Sequence, residues 1–457
     1  MRESAQAGFY RYPQLEAIRM LVELLDEPDR YNHALESFVS RVTCHLAWGH
    51  SEASDELKQR ARELLISVSP TGALGNKLPF LMSLPAWLSP PKAWELRRAA
   101  TEARWFSMMR DQVQADVREN RAPQSWMKTF LENPGRWGLT DTEKEPQWWK
   151  TISEQPRGWS PGFDEKAPSW TSVLRAISSK LRFIANDKDV SGGDEAAYCV
   201  GMHGIAGALT IAAPMQTFCL ALAFHPQFLP PLHQEMDRVC GGRLPRSEDR
   251  PRLPFLRAVI RECLRWRPPV PTGIPHYLTQ DDEYNGFHIP KGSVIHPLEW
   301  AISRDPKQFP YPEAFNPRRW IDPGYPTYQE PLTEYPTILN STQFGYGQRK
   351  CQGQNVADED LFIGLGSLVW LFNISRLEDN NITQSTNPKI DPTLDYSTLL
   401  IAKPLPFKFS LTPRDAWREA KVRALYAELA AKGEFPQSAE YWGEEFGKGK
   451  KYGWGKV

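Results

Sequence analysis

The chain has 457 residues, 41% of them apolar and 12% aromatic, with 55 basic and 55 acidic side chains. That composition describes a globular chain with a substantial core and excludes a disordered one. The balanced charge, with no long basic run, excludes a nucleic-acid partner recruited by bulk electrostatics. The six scattered cysteines exclude a disulfide scaffold and a CxxC zinc site.

The N-terminus, "MRESAQAGFYRYPQLEAIRM", contains no apolar core for a signal peptide or an anchor. Apolar residues at helical spacing predict helices over 14–25, 33–49 and 95–120, so that 11–130 reads as mostly helix, with a proline-punctuated apolar connector at 75–91. From about 133 to 185 the chain turns rich in Pro, Gly, charge and tryptophan (Trp137, Trp148, Trp149, Trp159, Trp170), the texture of an inserted surface loop. Helix is predicted again from 194 to about 239. Within it, "IAGALTIAAPMQTFCLALAF" (205–224) is long enough to cross a membrane, but its polar residues and missing basic flanks favour a buried core helix. An amphipathic helix follows over 254–266. Asn285-Gly286 then predicts a hairpin with a type I′ turn, and 358–374 reads as a second apolar helix. Near the C-terminus, Thr412, Pro413 and Asp415 read as cap, first-turn proline and third-position acid of a helix that Gly433 ends. The tail "FGKGKKYGWGKV" is basic and aromatic.

Chemistry concentrates in "FGYGQRKCQG", 344–353. A thiolate needs nearby positive charge or backbone N–H donors to persist at neutral pH. Arg349, Lys350, the glycines and the helix beginning beyond Cys351 offer both, the helix through its partial positive charge. The pattern describes a thiolate metal ligand or a nucleophile, and no local cysteine-protease signature accompanies it. The other five cysteines, Cys44, Cys199, Cys219, Cys240 and Cys263, sit among apolar or helical neighbours and read as packing.

The spacing Phe344-x-x-Gly347-x-Arg349-x-Cys351-x-Gly353 resembles the heme-binding signature of the cytochrome P450 family. Three further segments resemble family motifs in the same order. Glu262 and Arg265, at i and i+3 in "RECLRW", share a helix face. "FNPRRW" (315–320) places Arg319 as the third member of a Glu–Arg–Arg network, with Arg318 where an acid is usual. "AGALT" (206–210) resembles the oxygen-binding stretch, with Ala206 and Gly207 keeping the distal face open, Thr210 at the family threonine, and Leu209 where Asp or Glu is expected. Pro214 cannot donate to the carbonyl of Thr210, so the helix should kink there.

The resemblance implies a mainly α fold with a small β region. It divides the chain into a heme-thiolate catalytic domain over 1–412, carrying the insertion at about 133–185, and a C-terminal helix and tail over 413–457. Heme b would lie between the kinked helix and the cysteine loop, with Cys351 as axial ligand. Phe344, Gly347, Arg349, Gly353 and His276 would bind the cofactor, Arg349 and His276 at its propionates. Glu262, Arg265 and Arg319 would hold the loop, and Thr210 would order a water. The implied reaction is monooxygenation of a lipophilic small molecule by O2, with electrons from an NADPH-dependent reductase, in a texture closest to fungal members of secondary metabolism. The implied location is the cytosolic face of the endoplasmic reticulum membrane. Family members carry an anchor, first strands and early helices before the point matching Met1, so the chain reads as N-terminally truncated, cytoplasmic as it stands. Two other readings stay open: a reductase-independent heme-thiolate isomerase or dehydratase, suggested by Leu209, and a non-catalytic remnant, suggested by the missing front.

Overall fold

The computed structural model describes residues 11–69, 71–133, 192–377, 391 and 394–435, which are mainly helical with a small β component. The tryptophan-rich stretch that reads as an insertion and the basic tail from 446 lie outside the described residues. Among the described residues, eight α-helices of seven or more residues form the body up to Val239: α1 (Arg11–Asp26), α2 (Tyr31–Trp48), α3 (Ser54–Val68), α4 (Pro90–Arg118), α5 (Trp126–Glu132), α6 (Gly192–Thr210), α7 (Ala212–Phe224) and α8 (Leu229–Val239). Then come α9 (Pro254–Trp266), α10 (Gln354–Leu371) and α11 (Ala416–Ala431).

The helix predicted across 194–239 is three helices. Pro214 withholds the amide that the Thr210 carbonyl would accept, and the chain turns at Ile211. This break separates two hydrophobic cores. α6 packs with the C-terminal end of α2, α3, α4 and α5 around Trp48, Trp105 and Phe106. α7 is buried among α1, α2, α9 and α10 around Phe38, Phe218 and Phe362. The apolar stretch long enough to cross a membrane is therefore buried within the protein over most of its length.

Three two-stranded antiparallel sheets occur among the described residues. β1 (His276–Tyr277) pairs with β4 (Val294–Ile295), and β2 (Asp282–Tyr284) with β3 (Phe287–Ile289) through the Asn285-Gly286 turn. Both turn residues have positive φ, +52° and +80°, as a type I′ turn requires. β5 (Phe372–Ser375) pairs with β6 (Ser410–Pro413), which corrects two expectations. The predicted helix 358–374 begins earlier and ends at Leu371, because an apolar run serves a buried helix and a strand equally well. Thr412 and Pro413 belong to β6, and Asp415 is the residue that caps α11, accepting from the Arg418 amide at 2.8 Å. Gly433, at φ +75°, stands just past its end. Val422 of α11 is fully buried in the larger core, so this helix packs on the body.

α6 lies close against α4 at Gly201, where an added Cβ would come within 2.2 Å of the buried Phe106 ring. Gly201→Ala should therefore cost about 1–3 kcal/mol through overpacking, read as a lower midpoint in urea unfolding, whereas an unchanged midpoint would show that the helices can slide apart freely.

Candidate functional site

The cysteine loop is built from two short 3-10 turns, Thr342–Phe344 and Gly347–Arg349. Gly345 and Gly347 stand at φ +79° and +58°, a region closed to most side chains, and at either one an added Cβ would meet open space. The loop closes where the Cys351 amide donates to the Phe344 carbonyl at 2.7 Å. Phe344 packs against the larger core. Gly353 is the N-cap of α10, so Cys351 lies just before a helix start, and the Gly353 amide hydrogen-bonds the sulfur.

Cys351 is solvent-exposed, while the other cysteines are buried or half-buried. Burial pushes the thiols of Cys44, Cys199, Cys219, Cys240 and Cys263 above the ordinary value, the behaviour of packing residues. Cys351 itself departs from expectation. Protein around the loop partly desolvates its sulfur and raises the thiol, and the Gly353 amide only partly offsets this. Lys350 turns away to the Asn340 side-chain oxygen at 2.8 Å. Arg349 is exposed and makes no ion pair among the described residues. Lys350 is thus engaged away from the sulfur.

Behind the loop, Glu262, Arg265 and Arg319 come together, each essentially inaccessible to water. The Glu262 carboxylate accepts from Arg265 Nη2 at 2.7 Å and Nε at 2.9 Å, from Arg319 Nε at 3.1 Å and from the Asn316 amide at 2.9 Å. Trp320 Nε1 adds a fifth bond at 3.0 Å, a partner the motif alone did not indicate. The remaining arginine N–H groups donate to the carbonyls of Ser303, Pro310, Pro312 and Ala314.

On α6, Ala206 is exposed and Thr210 half-buried, and the Thr210 hydroxyl donates to the Ala206 carbonyl at 3.0 Å. Gly207 turns elsewhere: an added Cβ there would meet Thr43 of α2 at 3.1 Å, so the missing side chain lets two helices approach. Leu209 is packed in the smaller core. His276 is half-buried on β1, and no hydrogen bond joins it to the cysteine loop among the described residues.

Glu299 is a loop partner that the sequence reading missed. It is buried, and its Oε1 accepts from Thr342 Oγ1 at 2.9 Å and Gln343 Nε2 at 2.8 Å. Burial raises its pKa to about 7, with the two hydrogen bonds acting in the opposite direction. No motif surrounds it, and more than forty residues of chain separate it from the loop.

The family model described as cytochrome P450 matches residues 176–408. The cytochrome P450 monooxygenase virE of Hypocrea virens is 29% identical over 427 residues, 92% of this chain and 67% of the relative. The monooxygenase fogE of Aspergillus ruber is 27% identical over 420 residues, 90% of this chain and 67% of the relative. The monooxygenase ple1 of Rhodocybe pseudopiperita is 36% identical over a shorter stretch, 49% of this chain and 41% of the relative. The matched stretch thus spans about two thirds of the length of the first two and about two fifths of the third.

Glu262→Ala should leave two buried arginines without their acid, a loss of about 3–5 kcal/mol, measured as failure to recover folded protein. Wild-type thermal stability in that variant would show the pairing to be dispensable. Glu299 carries a raised folded pKa, so its favourable contribution is complete below the unfolded carboxylate range and fades as pH rises towards about 7. Glu299→Gln should therefore flatten the decline in melting temperature between about pH 4.5 and 7, and a decline identical in both proteins would contradict this.

Proposed function

The chain belongs to the cytochrome P450 family, and on that footing we propose that it is a heme-dependent monooxygenase. The observation that carries this reading is Cys351, an exposed thiol on a glycine-shaped loop at a helix start. The donor set suits a cofactor that brings its own ligands: among the described residues no three His, Cys, Asp or Glu gather as a metal site. The open space at Gly345 and Gly347 and the small Ala206 on the facing helix suit a flat macrocycle.

In this reading Cys351 would hold the iron of heme b as a thiolate, with Phe344 packed on the core beside the loop and the Gly353 amide hydrogen-bonding the sulfur to tune its donor strength. Bound there, heme b supplies activation of dioxygen and insertion of one oxygen atom into the substrate. Arg349 and His276 would hold its propionates, and Gly347 gives the loop its turn. Glu262, Arg265 and Arg319 hold the segment behind the loop. The Thr210 hydroxyl has its proton on the Ala206 carbonyl, which leaves its oxygen free to accept from a water. The Thr210 carbonyl, released by Pro214, is a second acceptor for that water. Together with the small residue Ala206 they order a proton source on the open helix face, while Gly207 lets α6 approach Thr43 of α2.

The substrate class proposed is a lipophilic small molecule of fungal secondary metabolism, supported by similarity to fungal monooxygenases. Electrons would come from NADPH through a partner reductase, on the cytosolic face of the endoplasmic reticulum membrane. The catalytic domain is taken as 1–412 and the C-terminal part as 413–457. Leu209, apolar and packed in the core, favours a second reading as a reductase-independent isomerase or dehydratase. Substrate-dependent NADPH consumption with a reductase separates the two.

Cys351→Ser should abolish the thiolate-type spectrum of the reduced carbon monoxide complex, and its retention would sink the assignment. Thr210→Ala should raise hydrogen peroxide released per NADPH, because a lost proton donor slows its step by about 10²-fold or more. An unchanged ratio would remove Thr210 from proton management.

A further inference from the structure

We propose that His203 and Gln352 form a clasp between α6 and the cysteine loop that positions Cys351. The proposal rests on the heme-thiolate reading for its consequence but not for its geometry. His203, Ala206 and Thr210 lie at i, i+3 and i+7, one face of α6. The His203 ring is exposed, yet it is held from three directions. Its Nδ1 lies 2.7 Å from the Cys199 carbonyl, and its ring meets Trp126 edge to face at 6.4 Å. Its Nε2 lies 3.1 Å from Oε1 of Gln352, 149 residues further along the chain.

A carbonyl can only accept, so Nδ1 carries a proton, and in that tautomer Nε2 offers its lone pair. The Gln352 amide then donates its N–H to that lone pair, the two amide atoms being interchangeable in assignment. Gln352 is the residue between Cys351 and Gly353, and the Gly353 amide is the donor to the sulfur. An added Cβ on Gly353 would lie 3.7 Å from that sulfur, so this peptide runs close against it. Holding the Gln352 side chain restricts rotation of the peptide that carries the Gly353 N–H. His203 thus acts through Gln352 as a positioning residue, keeping one donor aimed at sulfur and fixing the distance between the loop and the helix face of Ala206 and Thr210.

Two readouts on the full chain test this. In the heme-loaded protein, His203→Leu and Gln352→Leu should each raise the ratio of neutral-thiol to thiolate form of the reduced carbon monoxide complex on the order of fivefold, the size of one net hydrogen bond. His203→Gln, which keeps a polar tip at similar reach, should restore the wild-type ratio. The double Leu variant should be no worse than either single one. In heme-free protein at neutral pH, iodoacetamide, which attacks the thiolate, should alkylate Cys351, located by peptide mass, about two- to threefold more slowly in either Leu variant, the loss of thiolate outweighing its greater nucleophilicity. The alkylation readout uses no heme, so it tests the clasp even where the monooxygenase reading fails. Ratios and rates equal to wild type in His203→Leu would overturn the clasp. So would a His203→Gln protein as perturbed as His203→Leu, which would assign the effect to ring packing on Trp126, or strictly additive effects in the double variant.

Discussion

A single buried carboxylate, Glu262, organises the part of the molecule behind the cysteine loop. Desolvating one acid and two guanidinium groups costs several kcal/mol per ion unless each is paired and hydrogen-bonded. Here five donors meet the two carboxylate oxygens, and the surplus positive charge is met by carbonyls at 303, 310, 312 and 314. The network therefore does more than join a helix to a loop, because it fixes the backbone path of a segment with little regular structure. Ser303, one of those anchor points, directly follows the one-turn helix Glu299–Ile302. Glu299 at the start of that helix holds Thr342 and Gln343, which open the cysteine loop. A continuous chain of hydrogen bonds and short backbone spans thus runs from α9 to the residues flanking Cys351.

The opposite wall is set by a different constraint. Pro214 divides one apolar stretch into α6 and α7, and each half is buried in its own core. Gly201 and Gly207 let α6 settle against Phe106 of α4 and Thr43 of α2. Those contacts use the inward faces of the helix and leave Ala206, Thr210 and His203 facing outward, towards the site. Residue size at the glycines, more than polarity, aims this face.

Much of this could be read from the chain alone where the signal is local. Helix 254–266 appears with the predicted bounds, the Asn285-Gly286 hairpin has the predicted turn, and the proline interruption falls where its missing N–H demands. The Glu262–Arg265 pair follows from helical spacing. Features that depend on distant chain segments stayed hidden. Trp320 and Glu299 reach their partners across dozens of residues; Trp320 closes the FNPRRW segment without its indole being assigned a partner, and no motif surrounds Glu299. Gly207 sits in a motif whose small residues suggest an open face, yet its packing against Thr43 depends on where α2 lies. The cations beside Cys351 promised a stabilised thiolate, but side-chain direction, which a sequence does not carry, turns Lys350 to Asn340 instead. At 358–374 the apolar run could not separate helix from strand, and β6 decided the matter by pairing with Phe372–Ser375.

The central claim is that Cys351 presents a thiolate to heme iron. Titration of heme b into the full chain, followed by electron paramagnetic resonance of the ferric protein, tests it most directly. The account predicts saturation at one heme per chain and the rhombic low-spin signal of thiolate-ligated iron. Heme binding that does not saturate, or a saturated complex with the signal of nitrogen-only or water-only axial ligation, would contradict it.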